Sequence, residues 1–424
     1  MTDVLDDLQW RGLIALSTDL DALRKDLAAG PITYYCGFDP TAPSLHFGNL
    51  LQLVTMRRLQ LAGNFPLALV GGATGLIGDP NPGTERTLNA PEVVAEWVSL
   101  IQTQIGPLLD FEGEFAARMV NNLDWTAPMS AIDFLRDIGK HFRVNTMVKK
   151  DAVSARMNSD VGISYTEFSY QILQGMDFLE LYRRYGCTLQ SGGSDQWGNL
   201  TAGTDLIHRV EGKSVHLLAT PLITDAAGNK IGKSTGGGGI WLNPAMTSPY
   251  AFYQYFLNVE DALVGTLLRT LTFVERDEIL DLEKETAERP AARSGQRRLA
   301  AEVTTLVHGA RETEEVIAAS QALFGRGTLD ELDPGTLGAA LVEAGLTTIS
   351  AGPELPTYAS LLKESGLVSS MNEARRAIAD GGAYVNNTRV TDPEGVPAAA
   401  DLLHGRWLVL RRGKKTIAGV EIAR

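Results

Sequence analysis

The sequence predicts an α/β fold built on a parallel sheet, followed by a helical segment and a small α+β unit. Three observations point there. Two apolar strands, "ITYYCGFD" (32–39) and "FPLALVGGA" (65–73), flank a helix-periodic stretch, and strand, helix and strand alternate again between 187 and 224. From Ser248 to about 325 the pattern is helical with no strand, and strand patterning returns only near the C-terminus. Parallel strands need a crossover long enough to hold a helix, so strand–helix–strand reads as a parallel pair.

In order along the chain, "PTAPS" turns the first strand into a helix over 45–63, where Phe47, Leu50, Leu51 and Val54 form one apolar face and Gly63 marks the stop. Residues 128–158 read as helical. A further helix spans about 164–184 and opens on a capping box, Ser164-x-x-Glu167. "CTLQ" (187–190) reads as a strand, "SGGSDQ" as a turn, 195–210 as a helix and "VHLLATPLIT" (215–224) as the last strand of this domain. Residues 326–355 mix a linker with a short helix. Short helices at 358–365 and 370–380 then lead to a hairpin around Asn386-Asn387 and to the strands of "WLVLRRGKKTIAGVEI".

The chain has 424 residues, 44% of them hydrophobic and 21% charged, with a net charge of −13. That composition fits a globular protein of two to four domains, at roughly 100–200 residues each. The acidic balance excludes a generally basic nucleic-acid coat, though not a local basic surface. No apolar run reaches the length of a membrane-spanning helix. The acidic N-terminal stretch lacks the layout of a secretory signal, and Cys36 and Cys187 form no disulfide framework or metal pattern. A cytoplasmic location is the expectation.

Two nucleotide motifs nearly match and fail. "AAGNKIGKSTGGGG" (226–239) contains Gly-Lys-Ser, but a P-loop needs glycine where Ala227 stands, and a helix where the four glycines follow. "ATGLIG" (73–78) has Ala73 in place of the first glycine of a dinucleotide fingerprint, and "DPNPGTERT" continues it as a loop.

Three separated pieces fit together better. His46-Phe47-Gly48-Asn49 opens a helix, whose N-terminus favours anions. Gly192-Gly193-Ser194-Asp195-Gln196 turns a strand into a helix, and Lys230-Ile231-Gly232-Lys233-Ser234 follows the last strand. In this order around an α/β sheet, they resemble the H-I-G-H and K-M-S-K-S hallmarks of class I aminoacyl-tRNA synthetases. The phrases "YYCGFDPTAPSLHFGN", "GGATGLIGDP", "YQILQGMDF" and "GGSDQWGN" are similar to the bacterial tyrosyl-tRNA synthetases, and the likeness runs over nearly the whole chain.

The resemblance implies a Rossmann-like parallel-sheet catalytic domain over 1–247, with a dimerisation insertion near 128–158 and a lysine loop over 225–240. It also implies an α-helical anticodon-side domain over 248–330, a linker over 331–355 and a small S-four-like RNA-binding domain over 356–424. The implied activity joins tyrosine to ATP as tyrosyl-adenylate, releases pyrophosphate, and transfers the tyrosyl group to the terminal adenosine of tRNA. Carboxylate is already a nucleophile, so positioning and charge stabilisation should dominate.

On the helix at 164–184, Tyr170, Gln174 and Asp177 fall at i, i+4 and i+7. A solvent-facing helix side gives the same stripe; the resemblance makes it a pocket wall. Tyr170 and Gln174 are then expected at the amino end of tyrosine, with Asp79 and Gln190 assisting. Tyr35 and Asp177 are expected at its phenol. Asp79 reads equally as a loop cap before Pro80. For ATP, the resemblance implies Gly37, Asp39, Gly48, Asn49, Gly193, Asp195 on the ribose, Gln196, and the backbone of Leu222 and Ile223. Thr41, His46, Arg86, Lys230, Lys233 and Ser234 are the implied catalytic set around the phosphates, with magnesium accompanying ATP and no dedicated metal site.

Three departures from the family pattern stand out. Asn49 replaces the second histidine of the first motif and can donate a hydrogen bond but carries no charge. Ile231 and Gly232 replace Met and Ser in the second. The stretch Asp79–Arg86 has no lysine, which places more weight on Arg86, Lys230 and Lys233. Residues 401–424 carry six basic against two acidic side chains, a local basic edge suited to tRNA phosphates. The resemblance further implies a homodimer and no membrane association. The alternatives are a tryptophanyl-type class I synthetase, against which Tyr35 and Asp177 speak, and a non-catalytic RNA-binding protein on a synthetase fold.

Overall fold

The structure is a computed structural model and describes residues 3–80, 84–160, 162–224, 239–350, 355–413 and 416–423. The chain divides into two compact units, one of Met1–Met246 with Glu260–Gly295 and one of Thr247–Val259 with Gln296–Arg424.

The first unit is built on a six-stranded sheet. In chain order its strands are β1 (Leu16–Ser17), β2 (Thr33–Phe38), β3 (Phe65–Val70), β4 (Arg118–Asn121), β5 (Cys187–Gly193) and β6 (His216–Thr220). Their order across the sheet is β1-β6-β5-β2-β3-β4, parallel except for the edge strand β1. The central strands are apolar on both faces because helices cover both sides, as the unbroken apolar runs of the sequence predict. From β2 the chain steps outward to β3 and β4. It then returns to β5 on the other side of β2, which puts the topological switch point between the ends of β2 and β5.

Helix Phe47–Leu61 crosses from β2 to β3, and Gly63, with φ 87°, follows its end. Helix Tyr165–Tyr185 leads into β5, and helix Trp197–Glu211 connects β5 to β6. These two helices cross closely at Gly203, where an added Cβ would lie 2.9 Å from both Cβ and Cδ1 of Phe178. Phe178 sits in a core shared with Tyr35, Leu67, Leu69, Met176 and Leu217.

The stretch 128–158 is helical as expected, in short pieces: Ala131–Asp133, a π-helical turn at Phe134–Ile138, Gly139–His141, Val144–Met147 and Asp151–Met157. Helices this short draw their stability from packing rather than propensity. Several expectations need correction. The strand over 215–224 ends at Thr220, so Leu222 and Ile223 lie beyond it. Ser164 caps its helix through the Glu167 amide, but Glu167 does not complete the box, because its carboxylate pairs with Arg156. Helices Asp261–Leu271 and Arg276–Glu288, expected in a separate helical domain, belong to the first unit. Arg58 and Arg11 draw that segment in, donating to the backbone carbonyls of Thr272, Arg269 and Val274.

In the second unit, helices Pro249–Leu257, Ala310–Leu323 and Pro334–Glu343 accompany a five-stranded sheet. Its strands are β7 (Leu346–Ser350), β8 (Ala383–Val385), β9 (Thr388–Arg389), β10 (Trp407–Arg412) and β11 (Thr416–Ala423), in the order β7-β11-β10-β8-β9. The expected linker 331–355 therefore contains a helix and an edge strand, with β7 running parallel to β11 from Leu346 opposite Gly419. Only β11 gives that short strand a partner, which is why local sequence does not reveal it. Asn386 and Asn387 both take positive φ, 47° and 65°, as a two-residue hairpin turn requires.

Replacing Gly203 with alanine should force the two helices apart and lower stability by about 1–3 kcal/mol. A melting temperature unchanged by Gly203→Ala would contradict the close crossing.

Candidate active site

The ends of β2 and β5 bring two of the three sequence pieces together. Asp39 follows β2, Gly193 ends β5, and Ser194 to Gln196 follow it. Side by side across these strands, Tyr35 pairs in register with Gln190. Gly37 is exposed on its central strand, where a side chain would otherwise cover the sheet end.

A buried chain of hydrogen bonds crosses the site. Tyr170 donates its hydroxyl to Asp39 Oδ2 at 2.6 Å, and Thr74 donates to Asp39 Oδ1 at 2.6 Å. Asn122 Nδ2 donates to Thr74 Oγ1 and to Asp177 Oδ2, both at 3.0 Å. Trp125 Nε1 donates to Asp177 Oδ1 at 2.8 Å. Asn122 Oδ1 is fixed by the Ala73 amide at 2.7 Å, which orients its Nδ2 toward both acceptors. Close passage of this chain explains Gly71, where a Cβ would lie 2.0 Å from Asp39 Oδ1.

Tyr35, Asp177 and Gln190 are each 2% exposed. The Tyr35 hydroxyl and Gln190 Oε1 have no hydrogen-bond partner among the described residues. Asp177 acts electrostatically on the Tyr35 phenol, adding to the burial that pushes it up. Buried polar atoms left unpartnered are costly, so a donor and an acceptor facing one pocket point to a polar ligand there.

Burial pushes the Asp177 carboxyl up to about 7, against the pull of its bonds from Asn122 and Trp125. Asp79 is pushed up to about 6 by burial and then by Asp39, while Asn199 pulls it down. Asp39 is raised by burial, against the bonds from Thr74 and Tyr170. Asp39 thus lies close enough to act on both Asp79 and Asp177, and the Asp39–Asp79 side is acidic, which attracts a cation such as an α-ammonium group.

The phosphate side is built on a helix N-terminus. His46 caps helix Phe47–Leu61: its Nδ1 accepts from the Gly48 amide at 3.0 Å, and Asn49 Oδ1 accepts from the His46 amide at 3.0 Å. With Nδ1 accepting, the neutral ring carries its proton on Nε2, as a donor. Asn49 therefore uses its oxygen in the cap. The chain returns beside this helix start, with Phe47 N donating to Ile240 O at 3.0 Å and Leu242 N to Leu45 O at 2.9 Å. Gln52 reaches across to Thr220 at the end of β6, at 2.6 Å. Asp195 folds back over Gly193, where an added Cβ would lie 2.6 Å from its Oδ1.

Thr41 and Arg86 line a cleft of about 290 Å³ together with Pro40, Gly75, Leu88 and Trp97. Arg86 Nε donates to the Asp79 carbonyl at 2.9 Å.

The structure thus places Tyr35, Asp39, Tyr170, Asp177 and Gln190 around one buried centre, and Gly48 and Asn49 with His46. Gln174 is half-buried on the same helix, Leu222 is partly exposed and Ile223 buried. Two placements differ from expectation. The Tyr170 hydroxyl is bonded to Asp39. Gln196, expected beside Asp195 on the ribose, donates to Asp79 at 3.3 Å and accepts from Asn199. Lys230, Lys233 and Ser234 lie outside the described residues. Thr74, Asn122, Trp125, Asn199 and Gln52 were not anticipated; "GGATG" contains Thr74 and "NNLDW" contains Asn122 and Trp125, but no spacing rule links them to Asp39 or Asp177.

Asp177 takes up a proton on folding, since its folded value of about 7 lies above the ordinary carboxyl value of 3.8. The cost of its buried charge is therefore absent below about pH 4 and complete above about pH 7, so stability falls as pH rises through that window. Asp177→Asn should gain melting temperature relative to the parent across it. A difference that does not vary with pH would assign the titration elsewhere.

Residues 27–325 match the family model described as "tRNA synthetases class I (W and Y)", and residues 342–418 match the "Tyrosine--tRNA ligase SYY-like C-terminal domain". The tyrosine–tRNA ligase of Streptomyces avermitilis is 66% identical over 100% of this chain and 99% of its own. That of Acidothermus cellulolyticus is 60% identical over the full length of both. Among solved structures, the C-terminally truncated mitochondrial tyrosyl-tRNA synthetase of Aspergillus nidulans superposes with a TM-score of 0.69 at 28% identity, covering 76% of this chain and 95% of that one. The corresponding Coccidioides posadasii structure gives 0.66 at 30% identity, over 74% and 91%. With near-complete coverage at such identity, the chain belongs to the bacterial tyrosyl-tRNA synthetases, within the class I aminoacyl-tRNA synthetases.

Proposed function

We propose that the pocket between the ends of β2 and β5 binds tyrosine and activates it with ATP. The activity is that of a tyrosine–tRNA ligase: tyrosyl-adenylate and pyrophosphate form first, and the tyrosyl group then passes to the 3′-terminal adenosine of tRNA. The observation that supports this use of the pocket is the unpartnered Tyr35 hydroxyl beside the Asp177 carboxyl. In this reading the substrate phenol accepts from Tyr35 and donates to Asp177. An amino acid without the hydroxyl leaves both protein groups unpaired, which is costly in a buried site.

The remaining roles are proposed from side-chain chemistry and the family resemblance. Asp79 and Gln174 hold the ammonium end, with Gln190 nearby. Tyr170 fixes Asp39 and lines the same wall. Asp195 takes the ribose, with Gly193 keeping the approach open, and Leu222 and Ile223 offer backbone to adenine. His46 Nε2, Thr41, Arg86, Lys230 and Lys233 donate to phosphate oxygens as charge grows on them, with Ser234 next to Lys233 in the sequence. The carboxylate nucleophile needs no general base, so the protein's task is alignment.

Magnesium is proposed to arrive with ATP, held by phosphate oxygens. The carboxylates of Asp39 and Asp79 are already engaged by side-chain donors, and no group of three or more metal-binding side chains stands among the described residues. Such a donor set suits a cation carried by its nucleotide. It would neutralise phosphate charge, while the side chains named above orient the reactants.

A homodimer is proposed through the segment 128–158, where Ile132, Leu135, Val144 and Met157 are exposed apolar side chains. The basic edge at Arg406, Arg411 and Arg412 is proposed to meet tRNA phosphates. The enzyme is proposed to act in the cytoplasm. No helix among the described residues is long and apolar enough to cross a membrane.

Amino-acid-dependent ATP–pyrophosphate exchange tests the reading. Exchange is expected with tyrosine and not with tryptophan or phenylalanine; exchange with tryptophan alone would sink the pocket assignment. Lys230→Ala and Lys233→Ala should each slow activation by about tenfold or more, as loss of a charge donor to a transition state does. Tyrosine binding should change little. Equal losses in both would place the lysines in the ground-state pocket.

A further inference from the structure

One buried ion pair holds the backbone on both sides of Glu85. Arg156 and Glu167 are 1% and 2% exposed at their side chains and meet fork to fork: Arg156 Nη1 donates to Glu167 Oε1 and Nη2 to Oε2, each at 3.0 Å. The same guanidinium donates from Nη1 to the Thr84 carbonyl at 2.7 Å and from Nε to the Gly162 carbonyl at 3.0 Å. The Glu167 carboxylate in turn accepts from the Arg86 amide at 3.3 Å. Glu167 stands in the first turn of helix Tyr165–Tyr185, and Arg156 in the last turn of Asp151–Met157.

Desolvating a charge pair about cancels its attraction, and an apolar pair of equal volume usually serves stability as well. An apolar pair, however, cannot accept from one peptide group of a neighbouring loop and donate to another. Arg86 is the only basic residue in the stretch Asp79–Arg86. Its side chain leaves the clamped backbone, passes Gly78 and donates to the Asp79 carbonyl, at the cleft lined by Thr41 and Gly75.

We propose that Arg156 and Glu167 are positioning residues for the activation step: their ion pair clamps residues 84–86 so that the Arg86 guanidinium faces the phosphates of ATP. The proposal rests on the reading of Arg86 as a phosphate ligand. Neither clamp residue touches substrate, so their whole effect on catalysis passes through Arg86.

The test is ATP–pyrophosphate exchange and tyrosine binding in the full chain, for the parent, Arg86→Ala, Glu167→Gln and the double variant. Arg86→Ala and Glu167→Gln should each lower the exchange kcat by about tenfold or more, the scale on which a misplacement of about 1 Å acts. The tyrosine Kd should stay within about threefold, and the double variant should be no slower than Arg86→Ala alone, since coupled residues are not additive. Losses that multiply in the double variant, or a parallel loss of tyrosine affinity, would overturn the clamp in favour of a purely structural pair. A slow Arg86→Ala with an undisturbed Glu167→Gln would also overturn it, while an undisturbed Arg86→Ala would overturn the phosphate reading beneath it. If Glu167→Gln does not fold, the volume-conserving pair Arg156→Met with Glu167→Leu replaces it. It should melt near the parent and still lose exchange, and full exchange in it would overturn the proposal.

Discussion

The buried hydrogen-bond chain from Tyr170 through Asp39, Thr74 and Asn122 to Asp177 and Trp125 is the constraint on which the rest of the site depends. Two carboxyls lie in the interior, and each takes two donors from the protein. Asn122 is the shared member, reaching both halves because its own oxygen is pinned by a backbone amide. Through these bonds the ends of β2 and β4, the turn after β3 and the helix Tyr165–Tyr185 are fixed relative to one another. A network this buried is rigid while every member is satisfied and costly once one is removed. Gly71 is part of the same requirement, since no Cβ fits beside Asp39.

Around that network the protein separates two electrostatic environments. On one side burial, with the added charge of Asp39, raises the proton affinity of Asp79 and Asp177, and the field there suits an ammonium group. On the other, the start of helix Phe47–Leu61 and the Arg86 side chain present donors suited to phosphate. In the proposed reading, a zwitterionic amino acid and a polyanionic nucleotide are thereby oriented toward each other before any chemistry occurs. Preorganisation of this kind is the main resource for a reaction whose nucleophile is already ionised.

Much of the fold was legible because its signals are local. The unbroken apolar runs of β2, β3 and β6 mark buried parallel strands, and the Asn386-Asn387 pair marks its turn through the left-handed backbone that asparagine tolerates. His46 was legible as well, because a cap and the residue it caps are only a turn apart. Glu167 shows where local reading fails. Its spacing from Ser164 fits a capping box, yet its carboxylate goes to Arg156, since a bidentate guanidinium out-competes a single backbone amide once both are buried. The strand β7 was missed for a related reason: five residues acquire strand character only through the distant edge of β11.

The sequence by itself determined the α/β class, the order of the motifs and the family, because each depends on composition and short-range spacing. The tertiary structure alone decided the partners. Tyr35 stands beside Gln190 because β2 pairs with β5 in that register. Asn122 bridges Thr74 and Asp177, across 48 and 55 residues of chain, because β3 and β4 end side by side. Asp79 is bonded by Asn199 and Gln196 because the turn after β5 and the start of helix Trp197–Glu211 come to lie against it. A buried carboxyl must find donors somewhere, which is a local property of the residue. Which donors it finds depends on how the strands are ordered, and no periodicity along the chain encodes that choice.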